Sequence, residues 1–206
     1  MTTPHPIIVS MTGASGAPYG IALVQALLAA GRRVDLLLSA AALQVLAREC
    51  DLHWDRPHGE RAALVAGHFQ AGSHRLRHFD LQDWNAPIAS GSGGARQMVV
   101  CPCSMGSLAA MAHGLADNLP RRAADVILKE GGTLILVVRE SPLSILHLDN
   151  MLRLARAGGI ILPASPGFYH RPRAVADLID FVVARILGRL GITPPESPCW
   201  PEGGRD

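Results

Sequence analysis

The amino-acid sequence predicts an α/β protein built on a parallel, doubly wound sheet with helices on both faces. Three observations carry this. Short apolar runs recur along the 206 residues, stretches of helical periodicity follow them, and glycine, serine and proline gather at the joints. Strands buried on both faces read as unbroken apolar runs rather than as alternation, and parallel neighbours need a crossover that a helix supplies.

Taken in order, Ile7-Ile8-Val9 reads as the first strand, closed by Thr12-Gly13-Ala14-Ser15-Gly16. Ile21, Val24, Leu27 and Leu28 then repeat at helical spacing up to a stop at Gly31. Val34 to Leu38 is a second strand and Ala40 to Arg48 a second helix. Met98 to Cys101 and Leu134 to Val138 are further strands, each followed by a helix, and Ile160-Ile161-Leu162 is the last. Val175, Leu178, Ile179, Val182, Val183, Ile186 and Leu187 mark the final helix. The stretch from Asp51 to Gly94 is irregular and rich in His and Gly, and reads as long connections with a short helix and a possible strand. Residues 1–192 form one expected domain, and 193–206, with four prolines, an extended tail.

Composition narrows the function. Apolar residues make up 49% and charged residues 17%, which excludes intrinsic disorder. A net charge of +2 is too small for non-specific binding to nucleic acid or to an anionic membrane. The charge-free stretches Pro6 to Gly31 and Met98 to Ala116 are broken by glycine, proline and serine and are not expected to span a bilayer. Met1-Thr-Thr-Pro-His5 lacks the basic flank of a signal peptide. Cys50, Cys101, Cys103 and Cys199 fit neither a disulfide framework nor a zinc pattern, so a reduced, cytoplasmic location is expected.

In open parallel sheets ligands bind beyond the carboxyl ends of the strands. The turn Thr12 to Gly20 offers small residues, the Ser15 hydroxyl and the positive end of a helix, which suits a phosphate. It is not GxGxxG and has no Walker lysine, and a tight turn with nothing bound would look similar. Cys101-Pro-Cys-Ser-Met-Gly-Ser107 is a second such turn, with Ser39 closing the second strand on the same rim. Cys101 and Cys103 read as small buried hydrophobes. Arg122, Asp125 and Lys129 share one helical face, where solvation would explain them equally well. Arg139-Glu140 closes a buried strand, which solubility explains poorly, and Arg185 borders the stripe of the last helix. Glu49 is ambiguous by pattern. The scattered histidines show no ligand spacing, so no metal site is expected.

With these segments in place, the chain resembles the UbiX-type flavin prenyltransferases. The matching segments are Met11 to Ala17, Trp84-Asn-Ala-Pro-Ile-Ala-Ser-Gly-Ser92, Cys101 to Ser107, Arg122-Ala-Ala-Asp125, Arg139-Glu-Ser-Pro-Leu143, His147-Leu-Asp-Asn-Met151 and Pro163-Ala-Ser-Pro-Gly-Phe-Tyr169. They run in family order from about Ile7 to Ile192. The resemblance implies a flavodoxin-like fold of three layers. It also implies reduced FMN as bound substrate, dimethylallyl monophosphate as prenyl donor, and a new ring built across flavin N5 and C6. The product would serve a UbiD-type decarboxylase, in ubiquinone synthesis or in phenolic-acid breakdown, and the enzyme would be a homododecamer with sites where subunits meet.

By the same resemblance Gly13, Ala14, Ser15, Ser39, Ser104, Met105, Gly106, Ser107 and Arg139 hold the flavin nucleotide. Tyr169 and Arg185 bind the donor's phosphate, with Arg122, Lys129, Glu49 and Glu140 lining that region. Ser90 and Trp84 lie in the loop beside the flavin, and Pro18 stands where a larger side chain is expected. The sequence has no DDxxD run for magnesium, and its cations suit a departing monophosphate instead. Glu140 is the expected proton relay in ring closure, a role Glu49 could share. Two alternatives remain. A flavin-dependent cysteine decarboxylase would carry a PxMNxxMW clamp that is absent here, and a flavin carrier would need neither the cations nor Glu140.

Overall fold

The computed structural model describes residues 5–193; the segment with Cys199 and Trp200 lies outside them. Six strands, β1 (Ile7–Met11), β2 (Val34–Leu38), β3 (Leu76–His78), β4 (Gln97–Cys103), β5 (Thr133–Val138) and β6 (Ile160–Pro163), form one sheet in the order β3-β2-β1-β4-β5-β6. Every pairing is parallel. The helices are α1 (Ala17–Ala29), α2 (Ala40–Cys50), α3 (His58–Phe69), α4 (Met105–Ala112), α5 (Leu119–Lys129), α6 (Ile145–Arg156) and α7 (Val175–Arg189). The chain winds outward in both directions from β1 and β4, so the connections leaving these two neighbours diverge and open a crevice at their carboxyl ends. Without the three-residue edge strand β3, the order is that of flavodoxin-like sheets.

Two cores lie on the two faces. Ile7, Val9 and Met11 of β1 pack with Leu36, Leu38, Val99, Cys101, Ile135 and Val137 against α1, α2 and α7. Ile8, Leu37, Met98, Val100, Cys103, Leu134, Leu136 and Val138 pack on the other face with α4 and α5. Alternate residues of one strand therefore serve different cores, so the buried runs are apolar on both sides apart from Ser10 of β1 and Asp35 of β2. Met105 and Met111 belong to the second core, and the Cys101 and Cys103 thiols are fully buried. Burial pushes the Cys103 thiol up to about 12 and Cys101 further still, which removes both as nucleophiles.

The irregular segment resolves into α3, twelve residues long, and the edge strand β3. What holds β3 is a cross-strand ion pair: Arg77 donates twice at 2.8 Å to Asp35, which is 1% exposed on β2. The next residue, His78, is half-buried with neither ring nitrogen hydrogen-bonded, and its ring stacks on His58 at 5.0 Å. Burial lowers its pKa to about 4, helped by His58 and Arg61 and opposed by Asp80. The unfolded chain therefore takes up this proton first as pH falls. Stability from the neutral ring is complete above pH 6.5 and is lost between 6.5 and about 4, a loss of the order of 3 kcal/mol. Urea midpoints at pH 7.5 and 4.5 are expected to converge in a His78→Phe variant; an equal fall in both proteins would place the effect elsewhere.

Candidate active site

The carboxyl ends of β1, β2, β4 and β5 meet at the crevice rim. Gly13 is required there by close approach, since a Cβ on it would sit 2.5 Å from that of Ala41 in α2. Gly16, with φ +117°, turns the chain into α1 in a conformation L side chains rarely adopt. Pro18 occupies the second helical position, where a missing N–H costs nothing, so this departure from expectation fits the fold.

The turn's amides, expected to cradle the flavin phosphate, already have an acceptor. Glu49, in the last turn of α2, accepts from the backbone N–H of Gly16 at 2.8 Å and of Ala17 at 2.9 Å. A carboxylate thus occupies the positive end of α1. Desolvation raises its pKa, but the Ser15 hydroxyl, these two amides and the nearby Arg139 together outweigh it and hold Glu49 below the usual carboxylate range. Arg139, at the end of β5, donates from Nε to the Ser15 carbonyl at 3.0 Å. Ser15, Glu49 and Arg139 therefore form one unit drawn from three elements. Glu140 beside it is exposed, and its Oε1 accepts only from the Ser141 N–H at 3.2 Å.

Two more helix N-termini face the same rim. Ser39 caps α2 by accepting from the Ala42 N–H at 3.0 Å. Ser104 caps α4, accepting from the Ser107 N–H at 3.3 Å and bonding the Ser107 hydroxyl at 3.0 Å. Because Glu49 fills the end of α1, the Met105 and Gly106 amides at the start of α4 are better placed to receive a phosphate. A residue that sequence reasoning passed over joins the two turns. Thr12, 4% exposed, donates from Oγ1 to the Pro102 carbonyl at 2.7 Å and accepts from the Ser104 N–H at 2.8 Å. The available signal was a hydroxyl ending a buried strand, which must find partners. Thr12→Val keeps the shape and orphans both partners. It is expected to weaken FMN binding roughly 10- to 100-fold, the effect of two buried hydrogen bonds, while Thr12→Ser restores it, both read by fluorescence titration.

Tyr169 and Arg185 are both placed near Phe181 of α7. Tyr169, in the loop after β6, packs edge-on against Phe181 at 5.6 Å. Arg185 lies one turn further along α7, and both α7 residues line a groove of about 620 Å³ between β6 and that helix. His170 stacks on Phe181 at 5.2 Å. His147 is a capping residue, exchanging bonds with Ser144 at the start of α6.

Arg122 lies near the start of α5 and Lys129 is its last residue. Arg122 donates to the Ala89 carbonyl at 3.0 Å and pairs with Asp125 at 2.7 Å, beside the loop carrying Ser90 and the half-exposed Trp84. Lys129 ends α5 and pairs with Glu130 at 2.5 Å, near Arg96 before β4. That is the amino end of the strands, separated from Arg139 by the six residues of β5, about 20 Å. One chain therefore does not bring Lys129 to Arg139. Spacing along one helix hid this, because α5 runs from the carboxyl end of the sheet to the amino end.

The described residues contain no group of three His, Cys, Asp or Glu able to hold a metal ion, and no helix long and apolar enough to cross a membrane. Residues 1–187 match the family model described as Flavoprotein. The chain is 48% identical over 202 residues to the flavin prenyltransferase UbiX of Pseudomonas aeruginosa, covering 98% of this chain and 97% of that one. Its structure superposes on a crystal structure of AnUbiX in complex with FMN and dimethylallyl pyrophosphate, with TM-score 0.85 and 39% identity over 97% of this chain and 98% of that one. It also superposes on a dodecameric FMN-dependent UbiX-like decarboxylase from Escherichia coli O157:H7, with TM-score 0.82 and 41% identity over 96% and 100%. With a crevice at the topological switch point and this similarity over nearly its whole length, the chain belongs to the UbiX family of flavin prenyltransferases.

Proposed function

We propose that this prenyltransferase joins the dimethylallyl group of dimethylallyl monophosphate to N5 and C6 of reduced FMN. The product would be prenylated FMN for a UbiD-type decarboxylase, made in the reducing cytoplasm without a metal ion. The observation that carries the reading is the Ser15–Glu49–Arg139 unit beside the capped start of α4. It offers a fixed cation, a fixed anion and backbone donors where a nucleotide with a polar ring would lie. Reduced flavin supplies the electron-rich nitrogen and carbon that are alkylated. Around it the protein has four tasks.

The rim holds the nucleotide: the α4 amides and Arg139 take the phosphate, while Gly13, Ala14, Ser39 and Ser107 shape the floor. Tyr169 and Arg185 take the donor's phosphate at the β6–α7 groove and offset its charge as the carbon–oxygen bond breaks. Glu49, held ionised, stabilises the positive character left on the allyl group. For ring closure the released phosphate gives a proton to the middle alkene carbon, which makes the dimethyl-bearing carbon the electrophile that C6 attacks; Glu140, with an uncommitted oxygen, accepts the proton C6 loses and returns it to the phosphate. Arg122, Lys129, Ser90 and Trp84 act in trans, at the site of a neighbouring copy in a homododecamer. The separation of Lys129 from Arg139 within one chain supports this arrangement.

Anaerobic incubation with reduced FMN and dimethylallyl monophosphate is expected to yield a flavin heavier by one five-carbon unit. Flavin bound and released unchanged would favour a carrier instead. Conversion of a thiol-containing peptide would favour a cysteine decarboxylase.

A further inference from the structure

The outer side of α6 is apolar. The helix buries one residue, Leu154, with His147, Asn150 and Met151 half-buried on the same face. On the opposite side Ile145, Leu148, Leu152 and Ala155 follow at steps of three, four and three, all exposed: Ile145 by 69%, Leu148 by 46% and Leu152 by 49%. A surface helix ordinarily turns polar residues to water. A narrow apolar seam at heptad spacing is instead the pattern of a helix that packs on another helix, and contiguous exposed apolar side chains mark an interaction surface.

We infer that this seam packs against the same seam of a second copy of the chain, antiparallel across a twofold axis. The seam is self-complementary: reversed, its sequence of steps is again three, four and three, so Ile145 meets Ala155 and Leu148 meets Leu152 of the other copy. Such reciprocity is what an isologous contact requires. Charge sets the direction. Asp149 and Arg156 are exposed and flank the seam on one side, seven residues apart. A parallel twofold pair would carry the two flanks to opposite sides of the contact, where neither charge meets the other across it. The antiparallel pair brings each acidic first half beside a basic last turn and opposes the two helix dipoles.

A structure with 41% identity is dodecameric, and closed even-numbered assemblies commonly contain twofold contacts. The inference rests on the assembly proposed above and specifies one of its contacts. It also bears on the site, since α6 begins five residues after Glu140 closes the Arg139 turn. An α6 held on both sides would fix that turn from behind.

The test uses the full chain and sedimentation velocity. The parent is expected to sediment as an assembly, and Leu148→Glu/Leu152→Glu as a species of at most half its mass with unchanged circular dichroism. Leu146, 68% exposed but off the seam, supplies the control: Leu146→Glu keeps the parent's mass. A double variant that sediments like the parent would overturn the seam alone, whereas a monomeric parent would overturn the assembly reading with it. Should the charged variant fail to fold, Leu148→Cys/Leu152→Cys under mild oxidation decides. A disulfide from 148 of one copy to 152 of another is expected; links joining like positions, or no link between copies, would overturn the antiparallel pairing.

Discussion

Replacing Arg139 with methionine is expected to weaken FMN binding by roughly 10- to 100-fold, the worth of one charge-assisted hydrogen bond at a partly buried position. The expectation follows from what Arg139 holds. Its Nε bonds the Ser15 carbonyl, and its charge helps keep Glu49 ionised. Methionine fills the same space and removes both, so the first turn loses its tie to β5 and the crevice loses its fixed cation. Lysine restores charge but not the planar fork, and is expected to recover only part of the affinity. Fluorescence titration with oxidised FMN reads the effect without turnover. An unchanged affinity in Arg139→Met would show that the nucleotide is held elsewhere. The Glu49 pKa should rise with the substitution, detectable as a pH-dependent step in binding at higher pH than in the parent.

The second large effect separates the two carboxylates. Glu140→Gln is expected to slow ring closure by about 10²- to 10⁴-fold, the usual weight of general acid–base catalysis, so that singly alkylated flavin accumulates. Glu49→Gln is expected to slow both bond-forming steps together without such accumulation, because it removes a standing charge rather than a proton acceptor. The physical distinction lies in occupancy. Glu49 is committed to two amides and the Ser15 hydroxyl, with a cation close by, all of which favour its ionised form and reduce its basicity. Glu140 accepts from one amide and faces solvent. Rapid-quench analysis of the flavin species decides between them. Accumulation in Glu49→Gln with normal closure in Glu140→Gln would transfer the relay to Glu49.

Much of this was readable from residues alone, for a local reason in each case. Five of the six strands read as largely apolar runs because each lies between two cores, a requirement legible residue by residue despite Ser10 in β1 and Asp35 in β2. The sixth, β3, is three residues long and anchored by the ion pair of Arg77 with Asp35, two charges forty-two positions apart whose pairing no periodicity reports. The capping contact of His147 is local, since its partner Ser144 is three residues away. Glu49 stayed ambiguous because its partners are more than thirty positions distant.

The sequence by itself determined the sheet class, the segments that close the strands and, through seven of them in register, the chemistry expected there. Those are properties of neighbours along the chain, where short-range sterics and burial leave a legible pattern. Tertiary structure decided which groups actually meet. It placed a carboxylate on the α1 amides, tied two turns through Thr12, and carried Lys129 to the end of the sheet remote from Arg139. Electrostatics and hydrogen bonding act through space over a few ångströms. Their outcome depends on distances that only the folded chain sets.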